Sequence, residues 1–254
     1  MISELEKEKF RTICREILTE RTAAEGGGIG TLNEKRMHIA LKRFVCSDES
    51  RYEADMGQRF VADIKLDDEI FEIQTGSLYP LTAKINYYLE NTDCHVTVVH
   101  PVPMKKYRIW IDPESGESSP RRRVAGVTGI FGEAHELVYI SEALATGRVA
   151  VWFLFIEEEE YRFLDGRDKT RKKHSTRYER LPVEIIDETV FASPEDYSTL
   201  IPEGLPDSFT AEEFRRAAKI ARGKRAYMVI AALANIGLLE PAEKKGRAKA
   251  WKLK

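Results

Sequence analysis

Two acids stand in runs that otherwise read as apolar strands. In RFVADIKL, residues 59 to 66, Asp63 is an acid among apolar neighbours. In EIFEIQTG, residues 69 to 76, Glu72 and Gln74 share a face with Ile70, while Phe71 and Ile73 take the other. If Asp67 and Asp68 form a two-residue turn, Leu66 pairs with Glu69 and the register is fixed. A four-residue loop centred on the same point gives the same pairing. Asp63 then lies directly across from Glu72 on one face, with Cβ atoms about 5 Å apart. Like charges opposed in this way destabilise a sheet. A divalent cation held by oxygen ligands would compensate them.

The surrounding pattern supplies elements to carry these strands. Helical periodicity dominates the first 45 residues, in an opening helix through Ile17 and a second over LNEKRMHIALKRFV. Three strand-like runs follow, SRYEADMG, RFVADIKL and EIFEIQTG. LTAKINYYLEN then reads as a helix with Leu81, Ile85, Tyr88 and Leu89 on one face, and CHVTVVHPV as a buried strand. Helix, three strands, helix and strand in this order predict an α/β fold, a mixed sheet with helices packed on it. Further along, the spacing predicts a hairpin over 105–123, a helix near EAHELVYISEALATG and a long strand over RVAVWFLFIEEEEYRFL. The acids at 157–160 are expected on a solvated edge, and DGRDKTRKKHSTRYER as an exposed loop or hairpin tip.

Asp63, eight intervening residues and Glu72-Ile73-Gln74 resemble the core of the PD-(D/E)xK nuclease superfamily, a restriction endonuclease-like fold. The resemblance covers about residues 31–102. It implies that Asp63, Glu72 and the Ile73 carbonyl hold Mg²⁺ or Mn²⁺, which activates a water for phosphodiester hydrolysis. Ala62 stands where the family has proline, and Gln74 where it has lysine. Glutamine can orient a water by hydrogen bonds but brings no charge. Lys65, on the Asp63 face, and Lys84, in the following helix, are the candidates for a displaced lysine. Each also reads as a lysine snorkelling at the surface. Glu34 has two readings: an acid facing the metal site from the first core helix, or the N3 member of a capping box with Thr31. Glu53 is a weaker acidic candidate.

The tail differs in kind. Pro194, Pro202 and Pro206 surround a linker-like segment, so residues 1–205 are expected to form the nuclease-like domain and 206–254 a second, small one. Thr210 and Glu213 have capping-box spacing, and Gly237 suits the end of the helix over KRAYMVIAALANIG. Two helices followed by a basic hairpin, NIGLLEP…KKGRAKAWKL, resemble a winged helix-turn-helix. Three basic clusters suit phosphate contacts: Arg121, Arg122 and Arg123; Arg171, Lys172 and Lys173; and Lys244, Lys245, Arg247 and Lys249. Together with the acid pair they favour a nucleic-acid partner, double-stranded DNA first. Trp251 is expected to pack on its own helix.

Other signals restrict the field. The glycines of EGGGIGT lack the GK[ST] of a P-loop and follow a helix. Cys14, Cys46 and Cys94 have no paired spacing, so neither a disulfide framework nor a structural zinc site is expected, and a reducing cytoplasm fits. No stretch approaches the roughly 18 apolar residues of a membrane span, and the charged N-terminal helix does not read as a secretory signal. The expected activity is a Mg²⁺-dependent DNA nuclease, with a homodimer left open. Against it stand a DNA-binding protein that keeps the scaffold without cutting, and an interaction protein in which the acids cap a polar pocket.

Overall fold

A computed structural model describes residues 2–24, 36–125, 129–164 and 176–254. Glu34, Arg171, Lys172, Lys173 and the glycine loop lie outside the described residues. The chain divides into two compact units. One comprises Met1–Ser50, Pro101–Val127 and Leu154–Glu188, the other Arg51–His100, Thr128–Phe153 and Thr189–Lys254. Residues 206–254 thus fall wholly in the second unit, with the strands that carry Asp63 and Glu72.

In chain order the elements are α1 (Glu4–Ala24), α2 (Arg36–Val45), β1 (Tyr52–Asp55), β2 (Val61–Lys65), β3 (Glu69–Ile73), α3 (Leu81–Asn91), β4 (His95–Ile111), β5 (Arg122–Arg123), α4 (Ile130–Glu133), α5 (Ser141–Leu144), β6 (Val149–Phe163), β7 (Thr176–Phe191), β8 (Ser208–Thr210), α6 (Ala211–Ala217), α7 (Gly223–Ile236), β9 (Leu239–Lys245) and β10 (Ala248–Leu253). A 3₁₀ segment, Ala134–Tyr139, joins α4 to α5. β1, β2, β3, β4, β6 and β7 neighbour one another in that order, and β5 adds beside β4 to complete a seven-stranded sheet. β1–β2 and β2–β3 are antiparallel and β3–β4 is parallel. A parallel pair needs a crossover, and α3 provides it. The expected mixed α/β sheet flanked by helices is the architecture observed.

In the first unit α1 buries Phe10, Ile13, Cys14 and Ile17, a stripe at helical spacing. Phe10 meets Phe44 of α2 edge-on at 5.4 Å. β4 is one continuous strand despite Pro101 and Pro103. Its pairing with β3 ends at Val99 and that with β5 begins at Tyr107, so both prolines fall where no ladder donor is required on that edge. One expectation is corrected here. The acids at 157–160 are not on a solvated edge: Glu157, Glu158 and Glu160 are buried because β6 lies between β4 and β7. Both neighbours supply bases, with Lys106 2.8 Å from Glu158, Arg108 2.9 Å and Arg177 3.4 Å from Glu160. Burial alone would raise the Glu160 carboxyl, but Lys106 and Arg108 bring it below its ordinary value. The basic run, expected as an exposed loop or hairpin tip, runs into β7 at Thr176, and its residues 165–175 lie outside the described residues.

In the second unit the C-terminal elements follow their local signals. Thr210 Oγ1 accepts from the Glu213 amide at 3.3 Å, and Glu213 returns a contact to the Thr210 amide at 2.6 Å, opening α6. Gly237, at φ 99°, ends α7 in the left-handed conformation. β9 and β10 form a hairpin turning at Gly246, and β8 pairs on the other edge of β10. Trp251 is buried and meets the Tyr227 ring at 6.1 Å, as expected of a packing residue.

Candidate functional site

The β2–β3 hairpin has the register that the sequence implies. The Leu66 amide donates to the Glu69 carbonyl at 2.8 Å across Asp67 and Asp68, and Lys65 pairs with Ile70 and Ile64 with Phe71. One step further along the same register lie Asp63 and Glu72. The next ladder bond would run from the Ile73 amide to Ala62. Instead that amide donates to Asp63 Oδ2 at 2.7 Å. In an antiparallel pair a residue turns its N–H and C=O to the same neighbour. The Ile73 carbonyl therefore faces the same gap as the Asp63 carboxylate.

Glu72 is 1% exposed and lies under α3. Lys84 and Tyr88 stand one turn apart on that helix and therefore on one face. Lys84 Nζ contacts Glu72 Oε2 at 2.5 Å, and the Tyr88 hydroxyl donates to Oε1 at 2.9 Å. Burial pushes the Glu72 carboxyl up to about 7 and the Asp63 charge adds to the rise, while Lys84 and Tyr88 oppose it. Burial, with the Glu72 charge, likewise pushes the Tyr88 hydroxyl up. Lys84 thus sits against Glu72, while the charge of Asp63 bears on the same carboxyl.

The two candidate lysines separate. Lys65 turns its ammonium onto the Leu66 and Asp67 carbonyls at the hairpin tip, whereas Lys84 takes the place beside the acids. Gln74 Nε2 donates to the Ser77 carbonyl, which leaves Oε1 as an acceptor. Its main chain is held by two contacts: the amide donates to Val99 O at 3.0 Å, and His100 Nδ1 meets the carbonyl at 2.6 Å. A carbonyl only accepts, so Nδ1 carries the proton. The loop after Gln74 is tied down by Glu136, which accepts from the Ser77 hydroxyl at 2.7 Å and the Leu78 amide at 3.0 Å, and meets His135 Nε2 at 3.2 Å. Sequence reasoning missed both His100 and Glu136. The first depends on a parallel register and the second on a contact 58 or 59 residues away.

The remaining expected residues lie elsewhere. Arg121 belongs to the first unit, where it pairs with Glu157 at 2.7 Å and Glu159 at 3.1 Å and stacks 3.6 Å from the Tyr107 ring centre. Arg122 and Arg123 are exposed on β5. Lys244, Lys245, Arg247 and Lys249 are exposed around the β9–β10 hairpin. Of these, Lys245 pairs with Glu213 at 3.2 Å and Lys249 sits 5.3 Å from the Trp251 ring centre. Glu53 is exposed on β1, at a positive φ of 51°. Among the described residues no group of three or more His, Cys, Asp or Glu is placed to hold a metal ion. The candidate donor set is two carboxylates and one main-chain carbonyl.

The family model described as a domain of unknown function, DUF8091, matches residues 35–192. Asp63, Glu72 and α3 lie inside that span, and the C-terminal helices and hairpin lie beyond it. A protein of Treponema pallidum (strain Nichols), described as uncharacterized, is 23% identical over 224 residues, covering 88% of this chain and 87% of the relative. No solved structure matches. Among the described residues no helix is long and apolar enough to cross a membrane.

Proposed function

We propose a metal-dependent phosphodiester hydrolase acting on DNA for this chain, which belongs to the DUF8091 family. The observation that carries the reading is the Asp63 carboxylate set into the broken β2–β3 ladder, facing a buried Glu72. An element order of three antiparallel strands, a crossover helix and a parallel fourth strand agrees with a restriction endonuclease-like core. In the C-terminal elements, the sheet order β8–β10–β9 around α6 and α7 agrees with a winged helix whose basic hairpin grips the duplex.

The donors, two carboxylates and a carbonyl, are the hard oxygens that suit Mg²⁺ or Mn²⁺. Such an ion would lower the pKa of a water and offset charge on the phosphate. Asp63 is oriented for this role by the Ile73 amide, and Glu72 by Tyr88. Lys84 brings the positive charge that Gln74 lacks, to the same side of the acids. Gln74 Oε1 would orient the attacking water by accepting a hydrogen bond from it, with its backbone held by Val99 and His100. The test is plasmid cleavage in Mg²⁺ or Mn²⁺ at pH 8. Nicking by the wild type that is abolished in Asp63→Ala supports the reading, and equal behaviour of the two proteins removes it.

A second reading has its own observation. Lys84 already neutralises Glu72, and a chain with glutamine at position 74 could keep the scaffold for binding alone. That protein would bind DNA with strong salt dependence, through residues 209–254, and cut nothing.

A further inference from the structure

The loop that leaves the Glu72 strand carries an aromatic ring into solvent. Tyr79 is 66% exposed, which is unusual for a ring so firmly mounted. Glu136 holds Ser77 and Leu78 from below, the Ser77 hydroxyl accepts from the Tyr79 amide at 3.3 Å, and the Tyr79 carbonyl accepts from the Thr82 hydroxyl at 2.9 Å. The ring stands edge-on to Tyr139 at 5.4 Å, with an interplanar angle of 73°. Thr82 ties the two segments together, since its hydroxyl also lies 3.0 Å from the Tyr139 carbonyl. Next to the ring pair is a cavity of about 200 Å³, with Thr82, Asn86, Tyr139 and Ser141 among its lining residues. That volume is below the ~300 Å³ lower end of pockets for drug-sized ligands and suits a single heterocycle.

We propose that Tyr79, Tyr139 and this cavity form a subsite for one unpaired nucleobase of the DNA strand being cut. The inference rests on the nuclease reading above and deepens it to a substrate class: DNA with single-stranded character beside the scissile phosphate, such as a flap, gap or junction. Three observations argue for a base as the occupant. An exposed, rigid aromatic face is a stacking platform that any base can use. Asn86 brings a side-chain amide to the cavity lining, suited to the edge of a heterocycle, while the Thr82 and Ser141 hydroxyls are already given to main-chain carbonyls. The loop begins at Gln74, directly after the strand that carries Glu72, and the Gln74 side chain touches Ser77 two residues before the ring. Ordering has little left to cost, because the loop is already fixed without ligand.

The test is fluorescence anisotropy with labelled (dT)20 and with a blunt duplex of the same length, in Ca²⁺ to suppress cleavage. It compares wild type, Tyr79→Ala and Tyr79→Trp, and a parallel Mn²⁺ assay follows cutting of a flapped substrate. The expected result is a loss of about 5- to 150-fold in (dT)20 affinity for Tyr79→Ala, the fold-change equivalent to about 1–3 kcal/mol of base stacking. Tyr79→Trp retains affinity, and duplex binding is the same in all three. Unchanged (dT)20 affinity in Tyr79→Ala, with wild-type cleavage intact, overturns the subsite alone. A wild type that neither binds nor cuts any of these DNAs overturns the nuclease reading and the subsite with it. Equal losses on duplex and single strand also overturn the subsite, because the residue would then contribute no preference for unpaired bases.

Discussion

Glu72→Gln should remove a pH-dependent destabilisation from the fold. The wild-type carboxyl titrates at about 7 in the folded state against an ordinary 4.5, because it is buried beside Asp63. A raised folded value means that the native state binds more protons than the unfolded chain between these limits. The stabilising effect of the neutral acid is then present at low pH and is lost as pH rises from about 4.5 through 7. At about 1.4 kcal/mol per pH unit the full change is roughly 3 kcal/mol. The assay is urea unfolding at pH 5 and pH 8.5, in EDTA, for wild type and variant. All other titrating groups act on both proteins, so the difference between their pH dependences isolates Glu72. The variant should be relatively more stable at pH 8.5 than at pH 5 by about 2–3 kcal/mol, because part of the change already lies below pH 5. Saturating Mg²⁺ should then restore the wild type at pH 8.5, by about 2.7 kcal/mol at a hundredfold excess over Kd, and leave the variant unmoved. Parallel pH profiles for the two proteins would refute the claim that Glu72 is a buried acid under strain from Asp63.

Other substitutions separate roles within the site and beyond it. Lys84→Met should lower cleavage by about 10²–10³-fold, the scale for losing one preorganised charge contact, while Lys65→Met, which frees only turn carbonyls, leaves the rate near wild type. Both are read as initial rates on plasmid DNA. Glu136→Ala should cost about 1–3 kcal/mol in urea unfolding, because it strands the buried Leu78 amide. Replacing Lys244 and Arg247 together by alanine should weaken duplex binding and flatten the slope of log affinity against log salt by about 2, if each contacts one phosphate.

The part of the site built by a local turn was legible in the sequence. Asp67 and Asp68 can close only a short loop, and alternation then brings Asp63 opposite Glu72, so a two-residue turn carries the long-range information. The helix termini at Thr210 and Gly237 were legible for the same reason, since caps act over three or four residues. Lys84 was legible only as one of two candidates, because strand and helix periods each put a lysine near the acids and only packing chooses between them. His100 reaches Gln74 through the β3–β4 ladder, a parallel pairing whose register no turn records. The acids of β6 misled for a related reason. Four consecutive glutamates read as solvated until Lys105, Lys106 and Arg108 of β4 and Arg177 and Arg180 of β7 are brought alongside. Burial of charge is set by partners distant in the chain, which a local pattern does not contain.

Manganese binding followed by electron paramagnetic resonance tests the central claim most directly. Titration of the metal-free protein at pH 8 should show Mn²⁺ taken up by the wild type with loss of the free-ion signal, competed by Mg²⁺, and lost in both Asp63→Ala and Glu72→Gln. Uptake that is unchanged in these variants, or no uptake by the wild type at millimolar Mn²⁺, would contradict the assignment of Asp63 and Glu72 as a metal-holding pair.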